Sequence, residues 1–200
     1  MRFPPCRVTR LCLLLALAVA SAAPGAAQQS GAHRRLANYE APPVTLTDSA
    51  NGRVRLDALL AEDRPVILQF IFTSCTTICG VLTSTVLAAQ PELTALRGDY
   101  AVLSISIDPE YDTPERLREY AEYFPPDSHW RLLTGRRDDI ARVLKAFDAQ
   151  FSDGTKMTHQ AYTFLRAAPG RPWLRLEGLI GCKELVAQYK GLLSDASHVD

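Results

Sequence analysis

No second cysteine pair accompanies Cys75 and Cys79, which stand as C-x-x-x-C in FTSCTTICG (residues 72–80). Structural zinc sites repeat a short C-x₂₋₄-C pair, so a closed four-sulfur site is excluded. Five cysteines in 200 residues do not make a disulfide framework, because a chain this long can bury its own core. Neither sign of charge is in excess: Lys plus Arg and Asp plus Glu number 22 each. That balance argues against nucleic-acid binding and against an acidic solvating tail. Internal repeats and low-complexity segments are lacking. The one long apolar run, Leu11–Ala23, has 13 residues. As a helix it reaches about 20 Å, against a bilayer core of about 30 Å.

That run follows Arg2, Arg7 and Arg10 and precedes small-residue cleavage sites at Ala20-Ser21-Ala22 or Gly25-Ala26-Ala27. Residues 1–27 are therefore read as a signal peptide, with a short N-terminal membrane anchor as the alternative. Either places the body outside the cytoplasm, in the periplasm or on the outer face of the cytoplasmic membrane. Cleavage leaves 19 basic against 22 acidic residues, a charge of −3, and three cysteines: Cys75, Cys79 and Cys182.

Residues 28–40 are polar and aperiodic and are expected to be a linker to one domain over 41–193, with 194–200 as a C-terminal tail. VTLTDSANGRVRL alternates about Asn51-Gly52, predicting a hairpin with a type I′ turn. Pro65–Phe72 and Tyr100–Ile107 are nearly unbroken apolar runs, as buried central strands require. Between them lies helical spacing that Pro91 is expected to end or kink. DTPERLREYAEYF starts a helix, with Asp112 or Thr113 as N-cap and Pro114 in the first turn. HWRLLTG is a strand, RDDIARVLKAFDAQF an amphipathic helix, AYTFLRAAPGRPWLRLEGLI a hairpin about Ala168-Pro169-Gly170, and KELVAQYKGLL the closing helix. Strands alternating with helices predict an α/β fold of the thioredoxin-like type: a central mixed sheet with helices on both faces and an N-terminal β-hairpin.

Cys75 then falls between a buried strand and a helix N-terminus, where unpaired amides favour thiolate. Cys79 is one turn later, so both sulfurs could share a face. The pair can clamp a soft metal ion or close a redox-active disulfide; the plain alternative is two buried cysteines packing a helix start. Polar Thr73, Ser74, Thr76 and Thr77 favour an accessible loop. Two sulfurs under-coordinate most metals. His159, just before a strand, is the candidate third ligand, while His33, His129 and His198 read as linker, turn and tail residues. Asp108, Asp112 and Glu115 look like a carboxylate cluster, of which capping and turn formation account for Asp112 and Glu115. Met157 reads as packing or exposed, Cys182 as a half-buried free thiol, and Trp130 and Trp173 as core or rim aromatics.

Four stretches in order carry a further resemblance: VILQFIFTSCTTIC, IDPEYDTPERL (Ile107–Leu117), HWRLLTG, and His159 followed by a strand ending FLRAAPG. Over roughly 41–193 the chain resembles the Sco/SenC family of thioredoxin-like copper proteins. The resemblance implies copper, as Cu(I) or Cu(II) and one per chain, held by Cys75, Cys79 and His159. It implies a monomeric metallochaperone rather than an enzyme with a small-molecule substrate. Its expected partners are a copper donor protein and the CuA-bearing subunit of cytochrome c oxidase, to which it delivers copper or whose cysteines it keeps reduced. Thiolates select Cu(I) and imidazole also suits Cu(II). The sequence departs from the family pattern: Thr76 and Gly80 stand where prolines are usual, Thr158 where an acid precedes the histidine, and Ala168-Pro169 where a D-P turn is usual. The rival readings are a metal-independent thiol–disulfide oxidoreductase using Cys75 and Cys79, and a peroxidase with Cys75 as attacking thiolate.

Overall fold

The computed structural model describes residues 33–151 and 155–196; the expected signal segment and His198 lie outside the described residues. Eight strands form one mixed sheet, in the order β1-β8-β7-β4-β5-β6-β2-β3. At its centre β4 (Val66–Ile71), β5 (Ala101–Ser106) and β6 (Trp130–Thr134) run parallel. Every residue of β4 and β5 is buried, which is why these strands read as unbroken apolar runs.

The connections β4–α2–β5 and β5–α3–β6 step the same way across the sheet, so right-handed crossovers put α2 (Ile78–Leu96) and α3 (Pro114–Tyr123) on one face. There Thr83 and Tyr120 share a 2.6 Å hydroxyl hydrogen bond, and α5 (Cys182–Ala196) packs beside α2. α4 (Arg137–Ala146) covers the other face and ends in Phe147. Phe147 meets Phe70, Phe164 and Trp173 edge-on and stacks on Tyr39, with centroids 5.3–6.1 Å apart. The mixed sheet, its two covered faces and the thioredoxin-like plan agree with the sequence reading.

Several local expectations change. His33–Ala37, expected within the linker, forms edge strand β1, antiparallel to β8 (Trp173–Glu177). Backbone pairing, with Arg34 bonded to Gln188, orders this polar stretch without an apolar pattern. α5 likewise runs to Ala196, into the expected tail. A five-residue helix, α1 (Leu56–Leu60), was not foreseen. The hairpin of β2 (Thr45–Asp48) and β3 (Arg53–Arg55) forms, but not on a type I′ turn. Asn51 takes a positive φ of 67° and Gly52 does not. The Asp48 carboxylate instead accepts from the Ala50 and Gly52 amides at 3.0 and 2.7 Å, giving a three-residue loop. A Cβ on Gly52 would lie 2.8 Å from that carboxylate, so a side chain there would force Asp48 to shift. Pro91 does not end α2, because Gln90 and Leu93 are buried around it and packing outweighs one lost backbone bond.

The aromatic cluster on the α4 face sets a measurable cost. Phe147→Ala should destabilise the domain by about 3–5 kcal/mol. Urea denaturation should show a lower midpoint with unchanged slope.

Candidate metal centre

The parallel strands β4 and β5 end at the same edge, and the chain entering β7 (Tyr162–Arg166) arrives there too, because β7 runs antiparallel to β4 with Gln69 opposite Thr163. Three loops therefore meet: the cysteine loop after β4, the Asp108–Thr113 loop after β5, and the histidine loop before β7. Crevices outside the carboxyl ends of parallel strands are the usual functional end of such sheets.

Cys75 and Cys79 come together as expected, both as free thiols. Cys79 lies in the first turn of α2 and is fully buried, whereas Cys75 sits in the preceding loop, partly exposed. The Cys79 amide donates to Cys75 Sγ at 3.4 Å, and the Thr77 hydroxyl lies 3.7 Å from the same sulfur. These contacts divide the pair electrically. Burial pushes the Cys75 thiol up, but hydrogen bonds from Cys79 and Thr77 outweigh it and hold its pKa below the ordinary value. Burial first, and the neighbouring Cys75 second, push Cys79 well above it. The accessible sulfur is thus the readier thiolate. The packing alternative holds in part: Cys79 belongs to the core, and Cys75 packs partly buried at its margin among exposed Ser74, Thr76 and Thr77.

His159 follows a short 3₁₀ turn, Lys156–Thr158, and is 6% exposed. Its ring meets that of Phe72, the residue opening the cysteine loop, edge-on with centroids 6.4 Å apart. Neither ring nitrogen has a hydrogen-bond partner although both are buried. Burial lowers its pKa from 6.5 to about 4, opposed by the nearby Phe70 carbonyl. Unpartnered buried imidazole nitrogens are costly, and they suit a group that supplies a positive centre rather than a proton. Among the described residues, however, no three His, Cys, Asp or Glu side chains stand close enough together to hold a metal ion. The structure brings the two sulfurs together and sets the imidazole at the same edge, without gathering all three.

The other two described histidines lie elsewhere. His33 is exposed on β1, and His129 stacks on Tyr100 at 4.5 Å while contacting Asp127 and the Gly98 carbonyl. Met157 is exposed and Cys182 half-buried.

Two contacts that sequence reasoning missed hold the loops. Thr113 is the N-cap of α3, accepting from the Arg116 amide at 3.3 Å. Asp112 is freed for a different task. Completely buried, its carboxylate accepts from the Thr73 amide at 3.1 Å, the Thr73 hydroxyl at 2.5 Å and the Ser106 hydroxyl at 2.5 Å. It ties the start of the cysteine loop to the end of β5. Asp108 pairs with Lys156, whose ammonium lies 5.3 Å from the Phe72 ring centroid, linking the histidine loop to the same frame. Polar Ser106 closing an apolar strand, and Thr73 leaving another, were the available signal.

A family model described as SCO1/SenC matches residues 33–194. The chain belongs to the SCO1/SenC family. The SCO1 protein homolog of Bacillus subtilis (strain 168) is 36% identical over 115 residues, 56% of this chain and 58% of that protein. The mitochondrial SCO1 homolog of Homo sapiens is 30% identical over 99 residues, 48% of this chain and 32% of that protein. These matches span less than two thirds of either relative. Among solved structures, BsSco, a Sco-family cytochrome c oxidase assembly protein in which a disulfide switch was identified, superposes with a TM-score of 0.65 at 28% identity, covering 80% of this chain and 96% of that one. Copper-bound ScoI of Bradyrhizobium japonicum gives 0.61 at 26%, covering 76% and 99%. The SCO1/SenC match starts at His33, so β1 belongs to the family domain.

The unfolded chain protonates His159 below about pH 6.5, whereas the folded chain resists until about pH 4. Folding stability from this group is therefore complete above pH 6.5 and falls as pH drops toward 4, by up to about 3 kcal/mol. Urea midpoints measured across that window should fall less steeply in His159→Gln than in the parent; equal slopes would refute a buried neutral imidazole. Asp112→Ala strands three donors and should cost about 2–4 kcal/mol. It should also change the alkylation rate of Cys75, whose loop it anchors, while leaving that of Cys182 unaltered.

Proposed function

We propose that this SCO1/SenC protein carries one copper ion as cargo, bound by Cys75, Cys79 and His159, and supplies it to the CuA-bearing subunit of cytochrome c oxidase after receiving it from a donor protein. The observation that carries this reading is a free cysteine pair at the same sheet edge as a buried histidine with two unpartnered ring nitrogens. The donor set suits the ion: soft sulfurs favour Cu(I), and an imidazole that stays neutral through the physiological range adds a ligand suited to either state. Copper in the related Bradyrhizobium japonicum ScoI supports the choice of metal. Cargo must leave as well as arrive, and ligands on separate loops allow stepwise exchange. Export through residues 1–27, by cleavage or by retention as an anchor, would place the domain where that oxidase subunit is assembled. Among the described residues no helix is long and apolar enough to cross a membrane.

The asymmetric thiols favour a second reading. A thiolate at Cys75 can attack a client disulfide, expelling one client thiolate and forming a mixed disulfide. Cys79, once deprotonated, then attacks Cys75 Sγ and expels the second client thiolate, leaving a Cys75–Cys79 disulfide that an external thiol reductant must reset. That chemistry would keep the CuA cysteines reduced, with or without copper, and the disulfide switch of BsSco supports it.

Titration of Cu(I) into the reduced chain against a chelator should show about one ion bound per chain, in line with a single set of soft ligands. Cys75→Ser and Cys79→Ser should abolish tight binding, and Cys182→Ser should not. His159→Ala should weaken it by at least about tenfold. Unchanged copper affinity and normal oxidase assembly in His159→Ala would overturn the metal-carrier reading in favour of dithiol exchange.

A further inference from the structure

The opposite end of the sheet holds a buried cation that the copper reading leaves unused. Arg166 ends β7 opposite Val66, the first residue of β4, and is 8% exposed. Its guanidinium carbon lies 4.6 Å from the Trp173 ring centroid, and one Nη donates to the Leu60 carbonyl at the end of α1. Its Nε is buried without a partner. Among the described residues no carboxylate reaches ion-pair distance of Arg166 or of Arg171 nearby. Burial lowers the Arg166 pKa, yet a guanidinium stays charged in proteins. A desolvated cation without a counter-charge is expensive to keep.

Both arginines line an open cleft of about 510 Å³, a volume suited to a small molecule. Leu60, Ala61 and Pro169 contribute apolar wall, while Glu40 and Asp57 bring negative charge. Asp57 is already engaged by Arg55, with contacts of 2.5 and 2.8 Å. Capping α1 accounts for one Nη of Arg166, but not for its idle Nε or for a second arginine on the same wall. Arg171 donates to the Ala196 carbonyl at 2.9 Å and, as a five-donor group, has capacity left.

We propose that this cleft binds a small organic monocarboxylate, its carboxylate held by Arg166 and Arg171 and its short hydrocarbon body lying on the Leu60–Pro169 wall. Guanidinium forks match carboxylate geometry. With Asp57 paired to Arg55, Glu40 balances one of the two remaining cationic charges, which matches a singly charged ligand. The site stands apart from the cysteine edge and does not depend on what that edge binds.

The test is titration of the full chain with sodium isobutyrate in a buffer free of phosphate and sulfate, followed by the Arg side-chain Nε–H resonances. A saturable shift of the Arg166 Nε–H signal is expected. Arg171→Gln, at a half-buried position whose loss leaves the core intact, should weaken the apparent affinity by about tenfold, as loss of a charge-assisted hydrogen bond implies. Arg166→Lys should retain the fold and lose the planar guanidinium, again weakening binding. Cys75→Ser should bind isobutyrate as the parent does. Absence of saturation, or equal affinity in Arg171→Gln, overturns the site. Tighter binding of inorganic phosphate than of isobutyrate overturns the ligand class.

Discussion

A single buried carboxylate sets the geometry of the cysteine edge. Parallel strands β4 and β5 end side by side, and nothing in their backbone pairing determines how the loops beyond them are arranged. Asp112 does, by accepting from the Thr73 amide and hydroxyl and from Ser106. A buried ionisable group is tolerated only when its hydrogen bonds are supplied, and here two donors from the cysteine loop and one from the end of β5 converge on it. The cysteine loop cannot move without stranding Asp112, and Asp112 cannot move without uncapping the turn in which its own amide bonds the Asp108 carbonyl at 2.8 Å. Asp108, through Lys156, extends the same frame to the histidine loop. Three loops separated in sequence are thereby coupled through polar contacts rather than through the core.

Most of the fold was legible because it rests on strong periodic signals. The unbroken runs at Pro65–Phe72 and Tyr100–Ile107 became the central strands, and the proline and threonine opening α3 behaved as their chemistry requires. What failed to show was structure lacking a side-chain pattern. β1 is held by backbone pairing with β8, so HRRLA carries no alternation to read. The turn at Asn51-Gly52 departs from type I′ because Asp48, outside the dipeptide, sets its geometry. Pro91 stays helical because its neighbours Gln90 and Leu93 are buried on the sheet.

At the site, residue types were legible and their division of labour was not. The C-x-x-x-C spacing located both sulfurs, but only the fold makes Cys79 a core residue and Cys75 a loop residue. Asp112 was assigned to capping because that is the cheapest explanation of an aspartate before Thr-Pro-Glu; the long-range partners Thr73 and Ser106 are visible only in three dimensions. His159 stood out by position before a strand, but its burial and its two idle nitrogens belong to tertiary structure.

The same asymmetry serves both proposed chemistries. For dithiol exchange, a lowered Cys75 and a raised Cys79 separate attack from resolution, so the second sulfur stays protonated until the first has reacted. For copper carriage, the accessible thiolate can meet the incoming ion first, while Cys79 gives up its proton only as a metal centre compensates the burial of its charge. The imidazole follows the same logic, since a buried neutral ring excludes protons as competitors down to about pH 4 while keeping its lone pair. A site so arranged is poor at holding nothing and poor at holding a proton, and both properties lower the cost of accepting a soft cation. Among the described residues Cys75, Cys79 and His159 are not gathered at one point, so copper bound as proposed would spend part of its binding energy on drawing the loops together. That reduces net affinity, which a carrier that must surrender its ion can tolerate and a permanent metal centre cannot.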